Sequence, residues 1–356
     1  MAAATKHIGP YQVIGRPLGT GGMATVYKVK DSKGRIAALK VLHEHLNRER
    51  KVVERFKQEF NIGQKMAGHD NFVGMMNLEK IETSWTILME FVPGKTLEKQ
   101  LLEADQATAV VANLAFALHA FHKKGFVHRD LKPENIILSD KGRIKIMDYG
   151  VTRELNNSMT RTGTTVGTPL FMAPEQLKAE KSVDHRADIY SLGVIFYRLL
   201  CKRDPHGLAQ KAEYFAVATA RLHKDIKPIP GMDKENELFP LIQRCMACNA
   251  DQRPQTTQAL VAQLKDLKCA PRNIDATLKK IAKASNTPKK TVNTPAKAKP
   301  NKMANNTILD TKNTSTKPSH KGKLVLAVLA LFITSVIIFY FLGPKDIRNE
   351  ITNLFN

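Results

Sequence analysis

A glycine-rich turn near the start of this sequence has the composition of a phosphate-binding loop. Residues 18–26 read Leu-Gly-Thr-Gly-Gly-Met-Ala-Thr-Val and lie between two segments of β-type composition. Because Gly19 and Gly21 have no Cβ, the backbone there can approach a phosphate and present its N–H groups. Gly-x-Gly also occurs in dinucleotide-binding folds and ordinary hairpins, but no helix starts at this turn, as a Rossmann fold would require.

A lysine and a glutamate follow at positions that favour an ion pair. Lys40 ends the run Ala-Ala-Leu-Lys in an apolar strand, where it either faces solvent or reaches into a cleft that holds an anion. A buried lysine needs an anionic partner to keep its charge. Residues 48–66 are predicted to form a helix, and Glu59 lies on its otherwise apolar face. We therefore expect Glu59 to be the partner of Lys40.

Three further motifs occur in a fixed order. They are His128-Arg129-Asp130-Leu-Lys132-Pro-Glu-Asn135, then Asp148-Tyr149-Gly150, and then Ala173-Pro174-Glu175. With these motifs the chain resembles the protein kinase family from about residue 11 to residue 267. The resemblance implies an α+β, two-lobed fold, with a small β-rich N-terminal lobe and a larger helical C-terminal lobe. The strand-type segments before residue 91 and the helical periods after residue 96 agree with that division.

The roles implied by the resemblance match the demands of phosphoryl transfer, with ATP and Mg²⁺ as cofactors and proteins as substrates. Asp130 is expected to accept the proton of the attacking hydroxyl, and Lys132 to lie near the γ-phosphate. Asn135 and Asp148 are expected to hold Mg²⁺, which prefers hard oxygen ligands. Lys40 is expected to hold the α- and β-phosphates.

The resemblance also implies a nucleotide pocket, in which aliphatic side chains enclose the adenine and the backbone near residue 90 binds its edge. The residues implied in nucleotide binding are Leu18, Gly19, Thr20, Gly21, Gly22, Met23, Ala24, Thr25, Val26, Ala38, Lys40, Glu59, Met89, Glu90, Val92 and Leu138. Two further matches look structural. Asp188 is similar to the residue that braces the catalytic loop, and Arg253 to the ion-pair partner of Glu175.

Sequence motifs also indicate the class of substrate and a mode of regulation. Lys132 and the Gly167-Thr168 pair are similar to serine/threonine kinases rather than tyrosine kinases, and the glycine-rich turn looks like that of bacterial transmembrane members. Arg129 before the predicted base favours control by phosphorylation of the activation loop. The candidate sites for autophosphorylation are Thr160, Thr162, Thr164 and Thr165, of which we favour Thr160 and Thr162.

Two positions depart from the family pattern. Tyr149 stands where the family usually has phenylalanine, which adds only a hydroxyl, and Ala24 replaces the third glycine of the turn. The main alternative from another class is a pseudokinase scaffold without turnover. Such a protein would be expected to lack Lys40, Asp130, Asn135 or Asp148, and none of the four is missing.

The charge of this 356-residue chain is concentrated in one segment. The formal net charge is +22, and residues 268–323 contain fourteen Lys or Arg but only two acids. Elsewhere no stripe of basic residues interleaved with aromatic ones is present, so nucleic-acid binding is not expected. The four cysteines form no framework that would indicate disulfides, which favours a reducing cytosol.

Composition divides the chain into five parts. Residues 1–10 are a short extension without the apolar core of a signal peptide, and residues 11–267 form the catalytic domain. Residues 268–323 are predicted to be a disordered linker that lies against anionic lipid headgroups. Residues 324–342 are 19 uncharged residues, long enough for a transmembrane helix. Residues 343–356 are a tail too short to form a sensor domain.

The flanking lysines predict a cytoplasmic catalytic domain, and the glycine-rich turn favours a bacterial inner membrane. A homodimer is compatible with the sequence.

Overall fold

The computed structural model describes residues 6–149, 169–180, 182–209, 211–232 and 237–286. All of them belong to the first of two compact units, Met1–Lys290. The strands are β1 (His7–Ile8), β2 (Tyr11–Val13), β3 (Gly19–Thr20), β4 (Ala24–Lys30), β5 (Ile36–Leu42), β6 (Met75–Ile81), β7 (Ser84–Glu90), β8 (Gly94–Thr96), β9 (Ile136–Ser139) and β10 (Ile144–Ile146). The α-helices are α1 (Arg50–Lys65), α2 (Ala104–Lys123), α3 (Pro174–Leu177), α4 (Arg186–Cys201), α5 (Tyr214–His223), α6 (Leu238–Cys245), α7 (Thr257–Lys265) and α8 (Ile274–Asn286).

The N-terminal lobe is an antiparallel sheet in the order β1-β2-β4-β5-β7-β6, with β3 paired to β4. In the register of this sheet Val26 lies opposite Lys40, and Ala38 lies opposite Met89. Because side chains alternate between the two faces of a strand, directly paired residues share a face. The sheet therefore places these four predicted nucleotide-binding residues on one surface.

Helix α1 packs across this lobe against β6. Its buried side chains include Phe56 and Ile62, and Glu59 lies among them as the one buried carboxylate of the helix. At the C-terminal end of α1, the Lys124 ammonium donates to the carbonyl oxygen of Lys65 at 2.8 Å. A cation suits the negative end of the helix dipole. Lys124 directly follows α2, so this bond ties the position of α1 to the larger lobe.

The C-terminal lobe is built around two buried helices, α2 and α4, which pack against each other. Residues 187–197 of α4 are buried on every side of the helix, as expected for a helix that is apolar over most of its surface. A second antiparallel sheet has the order β10-β9-β8, and its strand β10 contacts α2. Strand β9 begins directly after Asn135, and β10 ends two residues before Asp148, so this small sheet positions both predicted metal ligands.

Strand β6 has no counterpart among the sequence-based expectations. It reads Met-Met-Asn-Leu-Glu-Lys-Ile, and its outward side chains are exposed. Because apolar and polar residues do not alternate strictly in this stretch, its sequence carries little strand signal.

Residues 274–286 form helix α8, so the prediction that they belong to a disordered linker is wrong. Leu278, Ile281 and Ala282 are at most 3% exposed, and α8 packs against α2. Because these residues are spaced three and four positions apart, they form an apolar stripe on one face of the helix. The surrounding lysines make the average composition of the segment resemble that of a polar linker. The remaining linker residues, 287–323, lie outside the described residues.

Within the described part of the chain, no helix combines the length and the apolar character needed to cross a membrane. The predicted transmembrane segment, residues 324–342, and the predicted outer tail lie outside that part.

Candidate active site

Lys40, Glu59 and Asp148 meet at the inner end of the cleft between the lobes. The Lys40 Nζ atom lies 2.7 Å from Glu59 Oε1, 2.9 Å from Glu59 Oε2 and 2.7 Å from Asp148 Oδ1. The contact predicted between Lys40 and Glu59 is therefore present. Sequence reasoning did not anticipate the second carboxylate, so Lys40 bridges one acid from helix α1 and one from the segment after β10.

Burial and charge together set the protonation of these three groups. Burial acts against the charge of Lys40, but Asp148 and Glu59 outweigh it and hold the pKa of Lys40 above its ordinary value. Burial also acts against the charge of Asp148, yet the Lys40 ammonium keeps the pKa of this carboxyl below its usual range. Burial raises the pKa of Glu59 to about 7, although Lys40 opposes the rise. At neutral pH the site therefore presents a cation and the Asp148 carboxylate to a ligand.

The catalytic loop is held by Asp188 on helix α4. Its carboxylate accepts hydrogen bonds from the backbone N–H groups of His128 and Arg129, each at 2.8 Å. Asp188 Oδ2 also lies 2.8 Å from Nε2 of His122. Arg129 has a φ of +60°, a conformation that is unfavourable for a residue with a Cβ. These contacts agree with the bracing role predicted for Asp188, because its carboxylate holds the backbone of the strained turn just before Asp130.

Asp130, Lys132 and Asn135 lie together after this turn. The Lys132 ammonium is 3.0 Å from Asp130 Oδ2. The side-chain nitrogen of Asn135 donates to the Asp130 carbonyl oxygen at 3.2 Å, and the N–H of Met147 donates to the Asn135 carbonyl oxygen at 2.9 Å. The segment with the predicted base is therefore bonded to the segment that leads to Asp148.

The glycines of the glycine-rich turn have open space at the positions where a Cβ would lie. A Cβ at Gly19 or Gly22 would meet no protein atom within 4 Å, and one at Gly21 would make only an ordinary contact with the Ala24 carbonyl oxygen. Packing within the protein therefore does not require glycine at these positions. A ligand that approaches the backbone closely, such as a phosphate, gives a reason for the residue type. The predicted turn residues Leu18, Thr20, Met23, Thr25 and Val26 lie on or beside the β3–β4 hairpin.

The adenine pocket predicted from the resemblance has an apolar wall and a free backbone donor. Ala38, Met89 and Leu138 are each at most 5% exposed. The Glu90 N–H already donates to the Gly74 carbonyl oxygen at 2.8 Å. Among the described residues, the Val92 N–H has no hydrogen-bond partner. Of the two backbone N–H groups, only that of Val92 is therefore available to the edge of a base.

The donor set around Asp148 fits Mg²⁺ bound together with phosphates. Asn135 uses its side-chain nitrogen within the protein, which leaves the amide oxygen for a cation, and Asp148 has one carboxylate oxygen that does not contact Lys40. In the described ranges, no cluster of three or more His, Cys, Asp or Glu side chains could hold a metal alone. Mg²⁺ commonly uses one or two protein ligands and completes its shell with phosphates and water.

The predicted phosphorylation sites Thr160, Thr162, Thr164 and Thr165 lie outside the described residues. The Arg129 guanidinium donates to the Val183 carbonyl oxygen at 2.8 Å. The ion pair predicted between Arg253 and Glu175 is present at 2.7 Å.

Three contributing residues were missed by sequence reasoning. The buried amide of Gln176 donates to the Arg129 carbonyl oxygen at 2.9 Å, His122 contacts Asp188 as described above, and Lys145 pairs with the Glu90 carboxylate at 2.8 Å. Gln176 directly follows the Ala-Pro-Glu motif, which is the only sequence signal that could have drawn attention to it.

Comparison with known proteins agrees with this geometry. The family model described as a protein kinase domain matches residues 12–264. The chain belongs to the protein kinase family. Serine/threonine-protein kinase pkn2 of Myxococcus xanthus is 34% identical over 266 residues, which cover 71% of this chain and 32% of that protein. Serine/threonine-protein kinase PknB of Mycolicibacterium smegmatis is 31% identical over 277 residues, which cover 73% of this chain and 43% of that protein.

Among solved structures, a mutant of the Mycobacterium tuberculosis PknI kinase domain covers 75% of this chain and 98% of its own, with a TM-score of 0.53 and 22% identity. That likeness supports the two-lobed fold. The chain spans less than half the length of the two relatives named above, 32% of one and 43% of the other.

Proposed function

We propose that this chain is a serine/threonine protein kinase that transfers the γ-phosphoryl group of ATP to Ser and Thr hydroxyls of proteins. The observation that carries the proposal is the arrangement around Lys40. This lysine contacts both Glu59 and Asp148, and Met147, the residue before Asp148, is bonded to the loop that contains Asp130 and Asn135. A phosphate-binding cation, a metal ligand and a candidate base are thus held in one cleft.

The chemistry assigned to these residues is positioning and charge stabilisation. Lys40 binds and orients the phosphates, and the Asp130 carboxylate receives the proton of the attacking hydroxyl. Lys132, 3.0 Å from Asp130, adds a positive charge beside the reacting group. Asn135 and Asp148 would hold Mg²⁺, which would neutralise charge on the phosphate oxygens. The chain retains each of these groups, which favours an active enzyme over a pseudokinase scaffold.

The class of substrate rests on two independent supports. Lys132 lies beside the predicted base, as the resemblance to serine/threonine kinases implies, and the relatives named above carry that designation. Three peptides that differ only in having Ser, Thr or Tyr at one position would test it. With Mg²⁺ and labelled ATP, we expect label on the Ser and Thr peptides. Label that favours the Tyr peptide, or label that persists with the Asp130→Asn chain, would contradict the proposal.

Autophosphorylation of the activation loop is part of the proposal. The candidate threonines Thr160, Thr162, Thr164 and Thr165 lie between Glu154 and Glu175, and no acid that could imitate a phosphate occurs between those two glutamates. We expect the intact mass of the chain to increase on incubation with Mg²⁺ and ATP, and phosphopeptides to map to Thr160, Thr162, Thr164 or Thr165. The Asp130→Asn chain gives the baseline. Modification restricted to other segments would contradict this part of the proposal.

We also propose that residues 324–342 anchor the chain in a bacterial inner membrane, with the kinase domain on the cytoplasmic side. The support is the sequence: 19 residues without charge, preceded by Lys317, Lys321 and Lys323. The lysines within residues 287–323 would contact anionic lipid headgroups. Sedimentation with membranes after an alkaline wash supports the anchor, and release of the chain by that wash contradicts it.

A further inference from the structure

Residues 169–171 form a short turn that lies close to the catalytic loop. The segment after this turn is bonded to that loop, because the Gln176 side chain donates to the Arg129 carbonyl oxygen at 2.9 Å. The same side chain accepts a hydrogen bond from the Ala173 N–H at 3.1 Å. A protein substrate that brings a hydroxyl to Asp130 must extend past this loop. We therefore expect the turn 169–171 to contact the residues that flank the target hydroxyl.

Two hydrogen bonds from distant helices hold the carbonyl groups of this turn. The Ser191 hydroxyl, on α4, donates to the Phe171 carbonyl oxygen at 2.8 Å. Nη2 of Arg221, near the C-terminal end of α5, donates to the Leu170 carbonyl oxygen at 2.6 Å. Leu170 and Phe171 are at most 5% exposed, so their carbonyl groups need donors from within the protein. The donor that α5 supplies is a cation.

A buried carboxylate orients this cation. Nη2 of Arg221 lies 2.8 Å from Oδ2 of Asp204, and the two side chains are 0% and 1% exposed. Asp204 Oδ1 accepts hydrogen bonds from the backbone N–H groups of His206 and Leu208, at 2.9 Å and 3.2 Å. These bonds fix the direction of the carboxylate. The loop between α4 and α5 therefore determines where the guanidinium meets Leu170.

Stability alone gives a weak reason for this ion pair. Both charges lose their hydration on burial, and replacing a buried ion pair by apolar residues of similar volume is often neutral or stabilising. An apolar pair, however, supplies no donor for the Leu170 carbonyl group. The directional bond to the turn is therefore the property that requires an arginine at position 221.

We propose that Arg221, oriented by Asp204, is a positioning residue for the protein substrate. Its bond to Leu170 fixes the turn 169–171 where the chain beside the target hydroxyl lies against the kinase domain. In the described ranges the hydrogen bonds of Arg221 go to Asp204 and Leu170, not to a nucleotide-binding residue. Arg221 therefore affects the binding of the protein substrate rather than that of ATP. The inference rests on the proposed kinase function.

Steady-state kinetics of the full chain, purified in detergent, test this inference. The parent and Arg221→Met are compared with a serine peptide varied at saturating Mg²⁺ and ATP, and then with ATP varied. For Arg221→Met we expect the KM for the peptide to rise about tenfold, the factor that one hydrogen bond from a charged group is worth. The KM for ATP should change by less than about twofold. An unchanged KM for the peptide, or equal increases in both KM values, would overturn the inference.

A double variant separates positioning from stability. Arg221→Met leaves the buried Asp204 carboxylate without its cation, which lowers stability whatever the bond to Leu170 does. Asp204→Leu combined with Arg221→Met removes both charges. We expect its melting temperature to return towards that of the parent while the KM for the peptide stays raised, and this variant carries the test if Arg221→Met alone does not fold. Recovery of the parent KM in the double variant would contradict the inference.

Tyr214→Phe is the matched control on the same helix. The Tyr214 hydroxyl donates to the Leu177 carbonyl oxygen, so its removal loosens α5 without breaking a bond to the turn 169–171. Both KM values should stay at those of the parent. A rise in the KM for the peptide as large as that of Arg221→Met would assign the effect to the packing of α5 and contradict the inference. If the parent transferred no phosphoryl group to the peptide, the proposed function itself would be contradicted.

Discussion

The Lys40 ammonium and the Glu59 carboxylate lie 2.7 Å apart and join strand β5 to helix α1. Each side chain is only 11% exposed. The contact can form only when α1 packs against the sheet, so its presence depends on the position of that helix. Lys40 also reaches Asp148, which follows the small sheet of the other lobe. The Lys40 ammonium on β5 therefore connects helix α1 to the segment that follows β10.

Replacing Lys40 should affect both catalysis and stability. In Lys40→Met, the buried Glu59 carboxylate and the partly exposed Asp148 carboxylate remain without their cation, and breaking a buried pair such as Lys40–Glu59 costs about 3–5 kcal/mol. We expect phosphoryl transfer to fall by at least about a hundredfold, and the free energy of unfolding to fall in urea titrations. Lys30→Met, at an exposed position of β4, is the control and should retain both. Normal transfer by Lys40→Met would contradict the role of this lysine.

Asp188→Asn should loosen the catalytic loop. Both carboxylate oxygens of Asp188 accept hydrogen bonds from backbone N–H groups. An amide nitrogen cannot accept either bond, so one buried donor would lose its partner, at a cost of about 1–3 kcal/mol. We expect lower stability in urea and a fall in kcat larger than any change in KM for ATP.

The control for this substitution is Asp225→Asn, at an exposed position, which should resemble the parent in both assays. Parent-like stability and turnover in Asp188→Asn would show that the loop is held by other contacts.

The stability of the kinase domain should depend on pH through His206. This side chain is 6% exposed, and neither ring nitrogen has a partner among the described residues. Burial lowers the pKa of His206 to about 4, and the nearby Arg221 acts in the same direction. The unfolded chain binds a proton below about pH 6.5, whereas the folded chain does so only below about pH 4. The free energy of unfolding should therefore decrease as the pH falls from about 6.5 to about 4.

Melting temperatures at pH 7.5 and pH 5 test this dependence. His206→Phe keeps a ring of similar shape and removes the titrating group, so it should lose less stability between the two pH values than the parent does. His223→Phe, at an exposed position of α5, should behave like the parent. The same loss in all three chains would exclude His206 as a cause.

Helix α8 should stabilise the kinase domain although it lies beyond the residues that match the family. Leu278 is 1% exposed, and truncating a buried leucine to alanine typically costs 2–5 kcal/mol. We expect Leu278→Ala to lower the free energy of unfolding by about 2–3 kcal/mol. Lys280→Ala, on the exposed face of the same helix, should change it by less than about 0.5 kcal/mol. Equal effects of the two substitutions would mean that α8 does not add to the folded core.

Much of the site was predictable because its parts follow from local patterns. The helical period of α1 places Glu59 on the apolar face of the helix. Strand alternation left two orientations open for Lys40, towards solvent or into a cleft, and the bonds to Glu59 and Asp148 show the second. The resemblance to the family named residues from motifs that are far apart in sequence, and the fold brings Lys40, Glu59 and Asp148 into contact. The helical periods expected after residue 96 were found, and they include the long helices α2 and α4.

The parts that were not predicted depend on contacts between distant segments. The Tyr149 hydroxyl and the Val73 carbonyl are 76 positions apart in sequence, and no local pattern relates them. Sequence reasoning noted the extra hydroxyl but not its acceptor. Helix α8 was missed because its lysine-rich composition resembles that of the following linker, while only three buried residues mark it as structured.

The rate of phosphoryl transfer by the full chain and by its Asp130→Asn form tests the central claim most directly. Both are incubated with Mg²⁺, labelled ATP and a serine peptide, and nucleotide affinity is measured in parallel. A general base typically contributes 10²–10⁴-fold to rate, so we predict at least about a hundredfold slower transfer by Asp130→Asn with nearly unchanged affinity. Equal rates for the two chains, or no transfer by the parent chain, would contradict the account.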